Sequence, residues 1–104
     1  MKLSQLKTID IEAKEWRDKI NGNSYFSSDV TLNYGMDSQE TIKLPFQYGY
    51  GDFYYYASME KVKNLFPRSN WVKKKYNSWE LRDKYKMIIR HSIQRNCLKK
   101  ELNK

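Results

Sequence analysis

Residues 41–66 read TIKLPFQYGYGDFYYYASMEKVKNLF, and their hydrophobic pattern changes period halfway along. From 41 to 48 apolar and polar residues alternate, which is typical of a strand with one buried face. From 53 to 66 apolar residues recur at helical spacing, which predicts a helix after an N-cap at Asp52. Gly49 and Gly51 permit a sharp reversal between the two. The predicted inward side chains are Ile42, Leu44, Phe46, Tyr48, Tyr55, Met59, Val62 and Phe66.

Two more alternating segments precede this stretch, at residues 8–13 and 25–34. The turn residues at 21–23, Asn-Gly-Asn, separate them, because Asn and Gly tolerate positive φ. Pro45 has no backbone N–H to donate, so we expect the strand that contains it to lie at a sheet edge. The three segments together predict an antiparallel meander.

The remainder of the chain predicts one more strand among short helices. Residues 68–77 show no clear period, a short helix is expected at 79–84, and MIIRHSI at 87–93 is rich in β-branched residues. A last short helix is predicted at 97–102. We therefore expect an α+β fold, in which two or three helices pack on one face of a three-stranded antiparallel meander plus a fourth strand.

Length and composition favour one cytoplasmic domain spanning residues 1–104. No stretch approaches the roughly 20 apolar residues that cross a bilayer, and the first residues lack the apolar run of a secretory signal. Cys97 is the one cysteine, which excludes a disulfide framework and favours a reducing compartment.

Charge is distributed unevenly along the chain. Residues 1–60 carry six Lys/Arg and nine Asp/Glu, whereas residues 61–104 carry fourteen Lys/Arg and three Asp/Glu. The basic half is also rich in aromatic residues from 67 onward. This asymmetry indicates a polyanionic partner, either nucleic acid or an acidic protein surface, although lysine-rich segments also serve solubility alone.

Basic and aromatic residues are interleaved in the second half, as in surfaces that bind single-stranded nucleic acid or RNA. Lysines would neutralise phosphates and aromatic rings would stack on bases or anchor a protein partner. The same rings could instead hold a loop to the core. The candidate contact residues are Lys73, Lys74, Lys75, Trp71, Tyr76, Arg90, Arg95, Lys99, Lys100 and Tyr50.

The five tyrosines of residues 48–56 admit two interpretations. They can seal a strand-to-helix reversal as core residues, or Tyr50 and Tyr54 can be exposed contacts for a protein or a base. The glycines here lack the third glycine and the lysine of a phosphate-binding loop.

Catalytic and metal-binding patterns are sparse. His91 is the one histidine and is expected to make a structural hydrogen bond; Cys97 is expected to be a small buried thiol. One Cys and one His cannot supply the four ligands of a structural zinc, and we expect no metal or cofactor. A magnesium-dependent nuclease would need a carboxylate cluster, for which Asp10 and Glu12 are the candidates on one strand face.

Three segments of the chain also carry a family resemblance. Residues 21–35 (NGNSYFSSDVTLNYG), 40–57 (ETIKLPFQYGYGDFYYYA) and 92–102 (SIQRNCLKKEL) resemble segments of a group of small bacteriophage proteins. The resemblance implies a phage or mobile-element origin. Together with the basic, aromatic-rich second half, that origin favours a non-enzymatic counter-defence inhibitor of anti-CRISPR type, which binds a CRISPR effector nuclease or its guide RNA. The alternative is a single-stranded nucleic-acid or RNA-binding module of phage replication or expression.

Overall fold

The alternating segments form strands in the computed structural model, which describes residues 1–102. The strands are β1 (Thr8–Asp18), β2 (Asn23–Leu32), β3 (Glu40–Tyr48) and β4 (Ile88–Gln94). The helices are α1 (Phe53–Lys63), α2 (Asn70–Lys73), α3 (Ser78–Tyr85) and α4 (Lys99–Leu102), and a short 3₁₀ helix covers Leu3–Gln5.

The four strands form one sheet in the order β3-β2-β1-β4. β1, β2 and β3 are antiparallel neighbours, whereas β4 lies parallel to β1, with Thr8 opposite Ile88. A parallel partner requires a crossover connection, and the segment with α1, α2 and α3 supplies it between β3 and β4. The predicted α+β fold is confirmed, and β3 lies at a sheet edge as Pro45 predicts.

The core lies between the sheet and the three crossover helices. Alternate residues of β1 and β2 point into it, and α1 contributes Met59 and Val62. The most deeply buried apolar side chains are Leu6, Ile9, Ile11, Phe26, Val30, Leu32, Val62 and Leu81. The opposite side of the sheet, here called the open face, carries the polar residues of the same alternation. α4 packs at one end of this open face, where Lys99 lies over Trp16.

A bulge in β3 reverses the side-chain phase of its second half. Leu44 pairs with Ser28 but Gln47 pairs with Phe26, so two residues of β3, Pro45 and Phe46, span a single residue of β2. An extra residue in one strand moves every following side chain to the other face. Gln47 therefore shares the core side. The predictions that Phe46 and Tyr48 point into the core are wrong, because both rings lie on the open face beside Tyr25.

Helix α1 buries Met59 and Val62 as predicted, but its first turn differs from the prediction. Tyr54, not Tyr55, is the buried tyrosine, and the Tyr54 hydroxyl hydrogen-bonds Nδ1 of His91 at 2.8 Å. Tyr55 is half-buried, with its ring 4.5 Å from the His91 ring and its hydroxyl 2.6 Å from Ser78 Oγ. The prediction for His91 is thus confirmed, whereas the predicted exposure of Tyr54 is wrong.

Asn33 joins the end of β2 to the start of β1. Its side chain is fully buried, and its Oδ1 accepts hydrogen bonds from the backbone N–H of Lys7 at 2.6 Å and of Thr8 at 3.3 Å. Its Nδ2 donates to the Gln5 carbonyl at 3.0 Å. The alternation predicts Asn33 outward and Tyr34 inward, but Asn33 has left the strand at φ 53° and Tyr34 is exposed.

Candidate functional site

The helical connection between β3 and β4 carries a concentrated positive charge. We call residues 61–86 the basic crossover; they include nine Lys/Arg and two Asp/Glu. Helix α2 is only four residues long, and Lys75 follows it in the left-handed conformation at φ 53°. Lys73, Lys74 and Lys75 are all exposed at this turn. Lysines at a helix C-terminus also complement its partial negative charge.

The two tryptophans of the basic crossover have opposite environments. Trp71 is 4% exposed and belongs to the core, which contradicts its prediction as an anchor residue for a partner. Trp79 is 69% exposed. Leu81 faces inward from α3, and two helical positions turn a side chain by about 200°. The inward position of Leu81 thus places Trp79 toward solvent, and this pattern in the sequence could have identified it.

Tyr76 packs partly against the core, so its ring is not fully available to a partner. It is half-buried, its ring centroid lies 6.4 Å from that of Tyr85, and Lys84 Nζ lies 5.4 Å from the Tyr76 centroid. The cap of α3 is secure as well, since Asn77 and Glu80 exchange hydrogen bonds in a capping box. With its cap at Asn77, α3 begins at Ser78, one residue before the predicted start at residue 79.

The predicted arginines lie outside the basic crossover and are engaged by carboxylates. Arg90 projects from β4 on the open face and binds Asp10 through two hydrogen bonds of 2.6 and 3.1 Å. The hydrogen bond to the Asp10 carboxylate raises the pKa of Arg90. Arg95 binds Glu15 at 2.6 Å. Both guanidinium groups already have a counter-charge, so they add less to an anion-binding surface than the exposed lysines.

The predicted lysines of α4 lie on the open face. Lys99 Nζ is 5.2 Å from the Trp16 ring centroid and 5.9 Å from that of Phe46, whereas Lys100 is exposed. Trp16, Tyr25 and Phe46 stack against one another at centroid distances of 5.6 and 5.0 Å. Their ring faces are therefore largely used within the molecule. The predicted contact residues consequently lie in several separate places, not on one surface.

Tyr50 is exposed, as predicted for a contact residue, at 69% of its surface. It belongs to a group of aromatic side chains at the reversal between β3 and α1. We call this group the aromatic corner and define it as Tyr48, Tyr50, Phe53 and Tyr56 with Gly49 and Asp52. The five tyrosines thus serve both predicted purposes, since Tyr54 is a core residue and Tyr50 faces solvent.

A groove of about 530 Å³ lies on the open face beside α4. Its charged walls include Glu12, Lys14, Asp29 and Lys43, and Lys43 Nζ lies 3.6 Å from Asp29 Oδ1. Glu101 also lines the groove, so three carboxylates face two lysines and the groove has no concentrated charge of either sign.

The candidates for catalysis are placed as follows. Asp10 and Glu12 share the open face, as predicted, but the Asp10 carboxylate accepts hydrogen bonds from Arg90 in an ion pair. Cys97 is buried, as predicted, and donates to the Gln94 carbonyl at 3.3 Å. Within residues 1–102, no three His, Cys, Asp or Glu side chains are grouped so as to hold a metal ion.

Among the helices of that same range, none has both the length and the apolar character needed to cross a membrane. The chain matches no family model, no curated protein and no solved structure at a significant level.

Proposed function

We propose that this protein is a non-catalytic binding protein whose basic crossover engages a nucleic-acid-bearing target. The observation that carries the proposal is the exposure of Lys73, Lys74 and Lys75 together with Trp79 in the following helix. Lysines neutralise phosphates without reading sequence, and an exposed indole offers a face for stacking. No cofactor is needed for such binding.

The specific function we propose is counter-defence in the bacterial cytoplasm, by stoichiometric binding to a CRISPR effector nuclease or its guide RNA. The resemblance of residues 21–35, 40–57 and 92–102 to small bacteriophage proteins supports a phage origin. A basic surface suits a target that carries nucleic acid, because complementary charges steer association and favour the right partner.

Direct binding of single-stranded nucleic acid or RNA is the second candidate function. The exposure of Trp79 favours it, because stacking on an aromatic ring is worth about 1–3 kcal/mol per base and tolerates any sequence. In this case the bare nucleic acid is the target, and phage replication or expression is the process served.

A capture experiment separates the two candidates. Tagged protein would be incubated with host lysate with and without nuclease, and the captured proteins identified. A discrete effector that remains after nuclease treatment supports the inhibitor. If capture disappears with nuclease, and labelled single-stranded RNA binds the purified protein with a steep salt dependence, an inhibitor that contacts the effector protein itself is rejected in favour of direct nucleic-acid binding.

A triple variant tests whether the basic crossover is the contact surface. Lys73→Gln, Lys74→Gln and Lys75→Gln together should weaken binding of the captured target or RNA at least tenfold. The matched control replaces three exposed lysines elsewhere, Lys2, Lys7 and Lys19, and removes the same charge. Equal losses in both triple variants would mean that only net charge matters, which contradicts a localised surface.

A further inference from the structure

The aromatic corner surrounds an open pocket of about 410 Å³. Its four rings remain largely exposed: Tyr48 at 57%, Tyr50 at 69%, Phe53 at 49% and Tyr56 at 66%. Exposed apolar groups that cluster in this way mark interaction sites. Tyrosine and phenylalanine are enriched in protein interfaces, and tyrosine is typical of their energetically important positions.

Three of these rings are each held by a ring beneath. Tyr48 packs edge-on against Tyr25 at 5.9 Å and Tyr56 against Tyr55 at 5.5 Å. Phe53 packs in the same way against the buried Phe26 at 6.0 Å. Walls fixed in this manner lose little conformational entropy when a ligand enters, so the pocket is prepared for binding.

Gly49 fixes the position of the Phe53 wall. A Cβ atom at residue 49 would lie 2.6 Å from Cδ2 of Phe53 and 2.8 Å from Cε1 of Phe26. The backbone N–H of Gly49 also donates to the Ser24 carbonyl at 3.0 Å, which ties the reversal to β2. The missing side chain therefore lets both rings pack directly over the backbone of residue 49.

The aromatic corner itself carries one charge, the carboxylate of Asp52. The adjoining cavity shares Tyr48 and Tyr50 and is also lined by Arg17, Arg95 and Glu15, the carboxylate that pairs with Arg95. Residues 44–60 contain Asp52 and Glu60 but no Lys or Arg, in a chain with 20 basic residues. Asp52 is the one charged residue that lines the pocket, and its side chain makes no capping hydrogen bond to α1. The N-terminus of a helix carries about half a positive charge, so the full carboxylate charge exceeds it.

We propose that the aromatic corner binds an arginine side chain of a protein partner. A guanidinium group is planar, stacks on tyrosine and phenylalanine faces, and pairs with a carboxylate through two parallel hydrogen bonds. The rings around the pocket supply the faces, and Asp52 supplies the carboxylate. Lysine has a more strongly hydrated point charge and cannot stack, so it fits this pocket less well.

This site is independent of the basic crossover and goes beyond the proposed function. The crossover would contact phosphates, whereas the aromatic corner would contact a cationic residue of a protein. A protein bound to nucleic acid offers both the phosphates of the nucleic acid and its own arginines, because arginines line the surfaces where phosphates bind.

The first test is an NMR titration of the whole protein with Nα-acetyl-arginine amide, and with Nα-acetyl-citrulline amide as its uncharged isostere. We expect saturable shifts of the Gly49, Gly51, Phe53 and Tyr56 amide signals with the arginine probe only. Equal responses to both probes, or none, would overturn the proposal. Stronger shifts of the same signals with uridine monophosphate would replace it with a base-binding pocket.

Variants then test whether the arginine probe binds in the pocket itself. Asp52→Asn should raise the Kd of the arginine probe about fivefold, and Tyr50→Ala should act in the same direction. Tyr34→Ala is the matched control, because Tyr34 is as exposed as Tyr50 but does not line the pocket. An unchanged Kd in Asp52→Asn refutes the role of the carboxylate. Pocket signals that shift with protein concentration alone would identify a second copy as the occupant and would also overturn the proposal.

Discussion

The aromatic corner and the basic crossover follow one another in the sequence but place their aromatic residues differently: the corner exposes most of its rings, whereas the crossover buries Trp71. In the aromatic corner, Phe53 and Tyr56 lie outside rings that are already packed, and the nearby stretch 44–60 contains no cation. In the basic crossover, Trp71 and Tyr76 turn inward and lysines turn outward. An aromatic residue among lysines therefore identifies a contact surface only when its helical phase is known.

The largest difference between two equivalent substitutions is expected at the tryptophans. Trp71→Ala removes a buried ring and should cost about 3–5 kcal/mol of unfolding free energy. Trp79→Ala removes an exposed ring and should change that free energy by about 0.5 kcal/mol or less. Chemical denaturation followed by circular dichroism measures both.

The binding of labelled single-stranded RNA or of the captured target supplies the complementary measurement. Trp79→Ala should weaken it while leaving the fold intact. A strong loss of stability in Trp79→Ala, or unchanged binding, would contradict the role of Trp79 as the exposed ring of the basic crossover.

Gly49→Ala should disturb the packing of the aromatic corner on the core. The added Cβ must displace Phe53 or Phe26, and overpacking of this kind costs about 1–3 kcal/mol. The double variant Gly49→Ala/Phe53→Ala should cost less than the sum of its parts, because the closest clash is removed. Additive losses in thermal or chemical denaturation would show that Phe53 is not the restraining neighbour.

Tyr54→Phe tests the buried tyrosine of α1. The variant loses the hydrogen bond to His91 and should lose about 1 kcal/mol of unfolding free energy at neutral pH.

Tyr54→Phe also carries a prediction for alkaline pH. Burial raises the pKa of Tyr54 above its ordinary value of 10.0, so the folded state holds this proton more tightly than the unfolded chain does. The protonated Tyr54 therefore makes its full contribution to the free energy of unfolding below pH 10, and this contribution declines as pH rises above 10. The difference in Tm between the wild type and Tyr54→Phe should therefore narrow above pH 10, and a widening gap would reverse the assigned sign.

The smallest effect is expected at Arg90, which belongs to neither region. Arg90→Gln removes a solvent-exposed ion pair with Asp10, and water screens such pairs, so the free energy of unfolding should hardly change. It should leave RNA or target binding close to that of the wild type, since the guanidinium already has a partner. A loss of binding equal to that of the triple lysine variant would return Arg90 to the contact surface.

Alternation in the sequence was sufficient to predict β2, β3 and the first half of β1, whereas β1 continues to Asp18, beyond its predicted end at residue 13. Ile9 and Ile11, and likewise Val30 and Leu32, are all buried as their spacing requires. The bulge at Pro45 could not be predicted, because it exists only relative to the partner strand β2. The parallel pairing of β4 was equally hidden, since its partner lies about 80 residues earlier.

The candidate site was less predictable for a related reason. In the run Tyr54-Tyr55-Tyr56 one residue of helical phase, about 100°, decides which ring is buried, and identical side chains give no signal. Trp71 lies in a helix of four residues, which is too short to show a period. Tyr50, between two glycines that carry no side chain, was correctly predicted to be exposed.

The parallel pairing of β4 with β1 has a consequence for how the molecule assembles. Thr8 meets Ile88, so this ladder closes a loop of about 80 residues, and long-range closure slows folding. The meander of β1 to β3 can form from neighbouring segments, but one edge of β1 then stays without a partner until the crossover is in place. An unpaired edge recruits other strands. We therefore expect β4 to join the sheet late in folding and to cover this edge of β1. Chains in which β4 has not yet docked should be prone to aggregation.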